Sequence, residues 1–204
     1  MFSGLDKNDF LALSRKYDKD QGWLGQKERE LGARFRKQKV MTQADLIHVV
    51  EWKFQDDEEK KLEVLELVAR NNEALVARVS NQVFSLPVAD DAYRMNCLLT
   101  LQGVSPVLAS VILAFFDPRQ CGVFDVYAWK ALLGNEPPNL FSTINYVKLQ
   151  SALRKTAAKH NLDVRTVEKA LAKKKRDESG VSDSRFQRKS GRATAKRKTR
   201  IKKK

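Results

Sequence analysis

The chain has 204 residues, 42% of them hydrophobic, which is enough apolar material for one folded domain plus an appendage. Its formal charge of +14 is unevenly placed: residues 173–204 hold 15 Lys or Arg against 3 Asp or Glu, and the other 24 basic and 22 acidic side chains leave the body nearly neutral. Two cysteines (Cys97, Cys121) and two histidines (His48, His160) at unrelated spacings exclude a four-thiolate zinc or iron–sulfur site, and no run reaches the roughly 18 apolar residues of a membrane span.

The opening residues Met1 to Lys7 lack the layout of a signal peptide, so an intracellular protein with two buried, reduced thiols is expected. In chain order, Leu5, Phe10, Leu11 and Leu13 mark a first apolar face, and a charged helix follows around residues 23–38. Thr42 and Asp45 have the spacing of a capping box and open a segment carrying Leu46, Ile47, Val49, Val50 and Trp52. A helix over 57–70 carries Leu62, Val64, Leu65, Leu67 and Val68. Asn71-Asn72 ends it, and Leu75, Val76, Val79 and Val83 lie on the next. Lys53, Lys60 and Lys61 stand among acids and are expected on a solvated charged face.

Beyond Pro87 a helix is predicted over 88–101. Gly103, Val104 and Ser105 connect it to an apolar helix from Pro106 to Phe116, closed by Asp117-Pro118 and Gly122. Asp125 begins another helix that ends at Gly134-Asn135, and two more follow near 143–160 and 163–174. The body, residues 1–172, is therefore expected to be all-α, a single multi-helix domain of eight to ten helices. From Lys173 onward Lys, Arg, Ser and Gly dominate, and a segment so poor in large apolar residues is expected to be disordered.

The stretch from Leu98 to Trp129 carries the chemistry. Gly103 suits a positive φ, Ser105 is placed as an N-cap, and Pro106 occupies the first helical position. Backbone N–H groups at such a helix start, aided by the helix dipole, form an anion site fit for a DNA phosphate; a plain turn between two core helices would use the same residues. Asp125 has the position of an N-cap before an apolar helical run. Tyr127, two residues on, is expected to project from a different face. Trp52 and Trp129 lie in apolar stripes that suit core packing, although with Trp23 they could also stack on a base.

Leu101-Gln102-Gly103-Val104-Ser105-Pro106-Val107-Leu108-Ala109, followed by Asp117-Pro118 and by Val123-Phe124-Asp125, resembles the helix-hairpin-helix DNA glycosylase superfamily. The hairpin of that family has the pattern Leu-x-Gly-Val-Gly, and Ser105 stands here in place of the second glycine. The resemblance covers about residues 95–133. It implies that residues 103–107 hold a DNA strand, and that Asp125 stabilises an oxocarbenium-like sugar during N-glycosidic cleavage of a flipped-out nucleotide. Bifunctional members carry a Schiff-base lysine just after the hairpin. The matching position near Val107 has none, nor is there one from Leu98 to Trp129, so lyase activity by that route is not expected.

The resemblance thus implies a base-excision-type, monofunctional DNA N-glycosylase without cofactor or metal. The alternative is a non-catalytic DNA- or RNA-binding module of the same fold. In the tail, Lys173–Arg176 and the block containing Lys196, Arg197, Lys198 and Arg200 suit a nuclear localisation signal, a non-specific nucleic-acid arm, or both. Double-stranded DNA is the expected partner. No feature requires an oligomer, and a nucleolar RNA factor binding through its tail is a third reading.

Overall fold

Residues 4–87 and 90–180 are described by the computed structural model, and every regular element in them is helical. The order is α1 (Lys7–Gln21), α2 (Trp23–Gln38), α3 (Gln43–Lys53), α4 (Glu58–Val68), α5 (Glu73–Ser85), α6 (Asp91–Leu98), α7 (Pro106–Phe116), α8 (Val126–Leu133), α9 (Thr143–His160) and α10 (Val164–Glu178). The expected all-α architecture holds for the described residues. Tail residues Lys196, Arg197, Lys198 and Arg200 lie outside them.

Side-chain caps set most of the boundaries. Thr42 Oγ1 accepts from the Asp45 N–H and Asp45 Oδ2 accepts from the Thr42 N–H, both at 3.0 Å, which completes the capping box of α3. Asp6 and Asp9 form a second box at α1. α6 is shorter than its apolar pattern predicts. Its last turn tightens through bonds from Thr100 N–H to Cys97 O and from Leu101 N–H to Leu98 O, so residues 99–101 form a turn.

At the centre lies α7, buried from Leu108 to Phe116 and packed on α2, α3, α6 and α9. A fully buried large apolar side chain contributes roughly 1.5–3 kcal/mol, so α7 is the element on which the others depend. Its closest neighbour is α2. A Cβ on Gly32 would sit 2.5 Å from the Phe115 carbonyl oxygen, an approach only glycine permits. Arg36 of α2 donates to that oxygen at 2.7 Å and so satisfies one of the unpaired carbonyls at the end of α7. Phe116 stacks on Phe84 with centroids 4.1 Å apart, and Trp52 meets Phe115 edge-on at 4.9 Å.

α10 packs on α1 and α8, bringing the first and last of the described helices together. It continues to Glu178, past the expected end of the folded body at residue 172. The cause is electrostatic. Lys173 bridges Asp20 (2.8 Å) and Asp177 (2.7 Å), and Arg176 reaches Asp125 (3.1 Å), so part of the first basic block is neutralised inside the fold. Of the two thiols, Cys121 is buried and Cys97 only half-buried, and both are free. Among the described residues no helix is long and apolar enough to cross a membrane.

Candidate active site

The α6–α7 connection is pinned from outside by α4. Gly103 has φ +78°, and a Cβ there would lie 2.8 Å from Leu67 Cβ and 2.9 Å from Val68 Cγ1. Both backbone conformation and packing therefore demand glycine. Buried Asn71 grips the preceding residue: its Nδ2 donates to the Gln102 carbonyl (2.9 Å) and its Oδ1 accepts from the Gln102 N–H (2.9 Å). Ser105 caps α7, accepting from the Leu108 N–H at 3.3 Å, with Pro106 at the first helical position. Val104 is buried, Ser105 is exposed, and Pro106 and Val107 are half-buried. Among the described residues no hydrogen bond takes the N–H of Gly103, Ser105 or Val107. Three donors at alternate positions are thus left for an external acceptor.

Residues 121–125 form a buried segment without regular structure that polar side chains from three helices hold in place. Gln150 of α9 accepts from the Gly122 N–H (2.8 Å) and donates to its carbonyl (2.9 Å), so one side chain satisfies both backbone groups of that residue. Ser110 of α7 accepts from the Phe124 N–H at 2.8 Å, and Glu168 of α10 lies 3.4 Å from the Val123 nitrogen. The segment ends at Asp125, whose carboxylate is fixed at both oxygens. Oδ1 accepts from the Tyr127 and Ala128 N–H groups (2.8 and 3.2 Å), capping α8, and Oδ2 faces Arg176 Nη2 at 3.1 Å.

Arg176 is held in turn between two rings, its guanidinium carbon 5.6 Å from the Tyr17 centroid and 5.2 Å from that of Tyr127. Spacing alone predicts Tyr127 on a different face from Asp125, yet both meet the same guanidinium, because Arg176 is long enough to span them. Burial pushes the Tyr17 phenol up to about 12, so it stays protonated.

Lys53 departs furthest from expectation. Lys60 is exposed and paired with Glu63, and Lys61 is half-buried and paired with Glu58. Lys53, at the end of α3, is also half-buried. Burial pushes its ammonium below the usual lysine range, and Asp125 is the strongest charge acting against that shift. Among the described residues no acceptor or carboxylate is close enough to hydrogen-bond or pair with its Nζ.

Behind this group lies a buried ion network. Arg165 binds Glu28 through two 2.9 Å contacts and also binds Glu168, while Lys169 reaches Glu28 (3.0 Å) and Asp18 (2.7 Å). Burial alone would raise the Glu28 carboxyl, but Arg165 and Lys169 outweigh it and hold it at about 2. Burial dominates at Glu168 and pushes it up despite Arg165.

No family model, curated protein or solved structure matches this chain. Its site has to be understood from its own geometry. Trp52 and Trp129 are core residues whose indole N–H groups donate to the Leu24 and Asn135 carbonyls (3.0 and 3.2 Å), while Trp23 is exposed. Gly103, Val104, Ser105, Pro106 and Val107 form one turn. Asp125 belongs to a separate segment, linked to α7 through Ser110, which also donates to the Val107 carbonyl at 2.6 Å. Sequence reasoning misses Lys53, Arg176, Tyr17, Asn71 and Gln150 as site residues. Of these, Arg176 alone stands in a segment that composition singles out, and there as a tail charge.

Proposed function

We propose that this chain is a DNA-binding protein of base-excision type, an N-glycosylase in which Asp125 stabilises positive charge developing on the sugar. The observation that carries the reading is the Asp125 carboxylate: buried, immobilised by two backbone N–H groups, and tied through the Phe124–Ser110–Val107 hydrogen bonds to a turn with three free backbone donors. A fixed negative charge in a low-dielectric setting is what an oxocarbenium-like transition state requires, and free N–H groups at a helix start suit a phosphate oxygen. The resemblance of residues 95–133 to helix-hairpin-helix glycosylases agrees in placing strand binding at 103–107 and chemistry at Asp125. The tail, with Lys196, Arg197, Lys198 and Arg200, would add non-specific affinity or nuclear targeting.

A second reading has its own support. The Arg176–Asp125 ion pair already neutralises the carboxylate, as expected of a binding module for DNA or RNA that has given up catalysis. Single-turnover base release from a panel of damaged and mismatched duplexes, with alkali to reveal abasic sites, separates the two. The glycosylase reading expects release by the wild type and a loss of at least about a hundredfold in Asp125→Asn. Duplex binding without release from any member of the panel selects the binding module.

A further inference from the structure

At the carbonyl end of α7, opposite the hairpin, a groove of about 720 Å³ opens between α2, α5, the 117–119 turn and the start of α10. That volume lies within the range of small-molecule sites. Three cations line it, Arg36, Lys39 and Arg119, and none of them has a carboxylate partner among the described residues. Arg36 is held by its Nη1 bond to the Phe115 carbonyl, so this end of α7 presents a guanidinium in place of the negative end of its dipole. Its Nε and Nη2 make no hydrogen bond among the described residues, which leaves donors for an anion. Lys39 stands at the C-cap of α2 with φ +56°, a conformation that favours glycine. The side chain kept at that strained position lies over Phe116, its Nζ 4.6 Å from the ring centroid. The turn itself is fixed by its backbone. The Asp117 carbonyl accepts from the Gln120 and Cys121 N–H groups (3.1 and 2.8 Å), and the Pro118 and Arg119 carbonyls accept from the Arg165 and Val164 N–H groups (2.9 and 3.2 Å). The groove is thus preformed, which lowers the ordering cost of binding.

Two further features narrow the ligand. Asp117 and Asp163 line the same groove, and neither carboxylate makes an ion pair or a side-chain hydrogen bond among the described residues. Asp163 holds the N-cap position of α10 without capping it. The floor is apolar, made by Pro118 and by Phe116 stacked on Phe84. A bare inorganic anion would use the cations alone and would be repelled by the carboxylates. A ligand that joins an anion, hydroxyl donors and a flat ring uses all three kinds of wall. We propose that the groove binds a nucleoside monophosphate. Arg36, Lys39 and Arg119 take the phosphate, Asp117 and Asp163 accept from the ribose hydroxyls, and the base lies against the Phe116–Pro118 floor. This site is separate from the one built on Asp125 and the hairpin. The 11 residues of α7 put about 16 Å between its two ends, so the assignment does not depend on the glycosylase reading.

Calorimetric titration of the full chain with AMP, GMP, CMP and UMP tests the assignment, with inorganic phosphate and the 2′,3′-dideoxy form of the tightest nucleotide as partial ligands. At least one mononucleotide should saturate a single site. Arg119→Ala and Lys39→Gly should each weaken it at least about tenfold, the loss of one charge-assisted contact. Neither should lower the melting temperature, because the Arg119 side chain makes no hydrogen bond among the described residues and glycine suits the backbone at position 39. Asp163→Ala removes no cap bond. It should narrow the preference for the nucleotide over its dideoxy form several-fold while leaving inorganic phosphate bound at least as well as before. The basic residues 181–204 are intact in all these variants. Equal nucleotide affinity in wild type, Arg119→Ala and Lys39→Gly would therefore put the binding on those residues and overturn the assignment. So would the absence of saturable binding by any of the four nucleotides, or inorganic phosphate binding as tightly as the best of them.

Discussion

Asn71 shows how much one buried amide can decide. Both of its polar atoms are engaged with the Gln102 backbone, and its Nδ2 also donates to the Val68 carbonyl at 3.0 Å. Replacing it with Ala removes both partners of the part-buried Gln102 backbone groups, which costs about 1–3 kcal/mol, while the Val68 carbonyl keeps the backbone N–H of residue 71. We expect Asn71→Ala to lower stability by roughly 2 kcal/mol in urea titration, and to weaken duplex binding more than Ser105→Ala, which removes only an exposed cap. At this scale the sequence is legible where function is local. Ser105, Thr42 and Asp125 cap helices two or three residues away, so their roles follow from spacing. Asn71 acts across 31 residues, and its Asn-Asn context signals only a helix break.

Among the elements, α10 carries the largest difference between pattern and fold. Its composition from Lys173 to Arg176 resembles the tail, yet Lys173 and Arg176 turn inward against Asp20, Asp177 and Asp125. Charge density along the chain does not reveal this, because most of the acids that neutralise α10 come from α1, α2 and the start of α8. Lys53 escapes sequence reading for the same reason: its acidic neighbours in sequence point to solvent, and only the packing of α3 shows that it is half-buried. The helix count and the apolar faces, by contrast, follow directly from periodicity.

The Arg165–Glu28 pair joins α10 to α2, and it sets an acid limit on the fold. Glu28 titrates at about 2 in the folded chain, against an ordinary value of 4.5. A depressed carboxyl contributes stability that is fully present above its unfolded pKa and is lost as pH falls toward the folded one. Melting temperature should therefore drop between about pH 4.5 and 2. Glu28→Gln should remove much of that slope and, by leaving Arg165 and Lys169 short of a counter-charge, cost about 3–5 kcal/mol at neutral pH.

For the whole molecule, charge is divided unevenly between residues 1–180 and residues 181–204. Residues 181–204 carry 11 Lys or Arg and one Asp, so any long-range attraction to nucleic acid originates mostly there. Deletion after Gly180 should preserve the melting temperature while flattening the dependence of duplex affinity on salt, by about 0.9 in log–log slope for each phosphate that the tail neutralises. Deletion from Lys173 removes Arg176 as well, and should also lower the melting temperature. An unchanged slope in the shorter deletion would place the phosphate contacts on the helical body. The α1–α10 packing extends this division, since the helices that close the fold are those farthest apart in sequence.

That closure gives the site a timetable. Asp125 and Arg176 are separated by 51 residues. At a ribosomal rate of about 5–20 residues per second, the carboxylate is made roughly 3–10 seconds before the guanidinium that meets it. Asp18, Asp20 and Glu28 wait longer still for Lys169, Lys173 and Arg165. The nascent chain thus passes through an interval in which these four carboxylates are complete and the α10 cations that pair with them are not yet translated. The last of the described helices, α10, is the one that neutralises them.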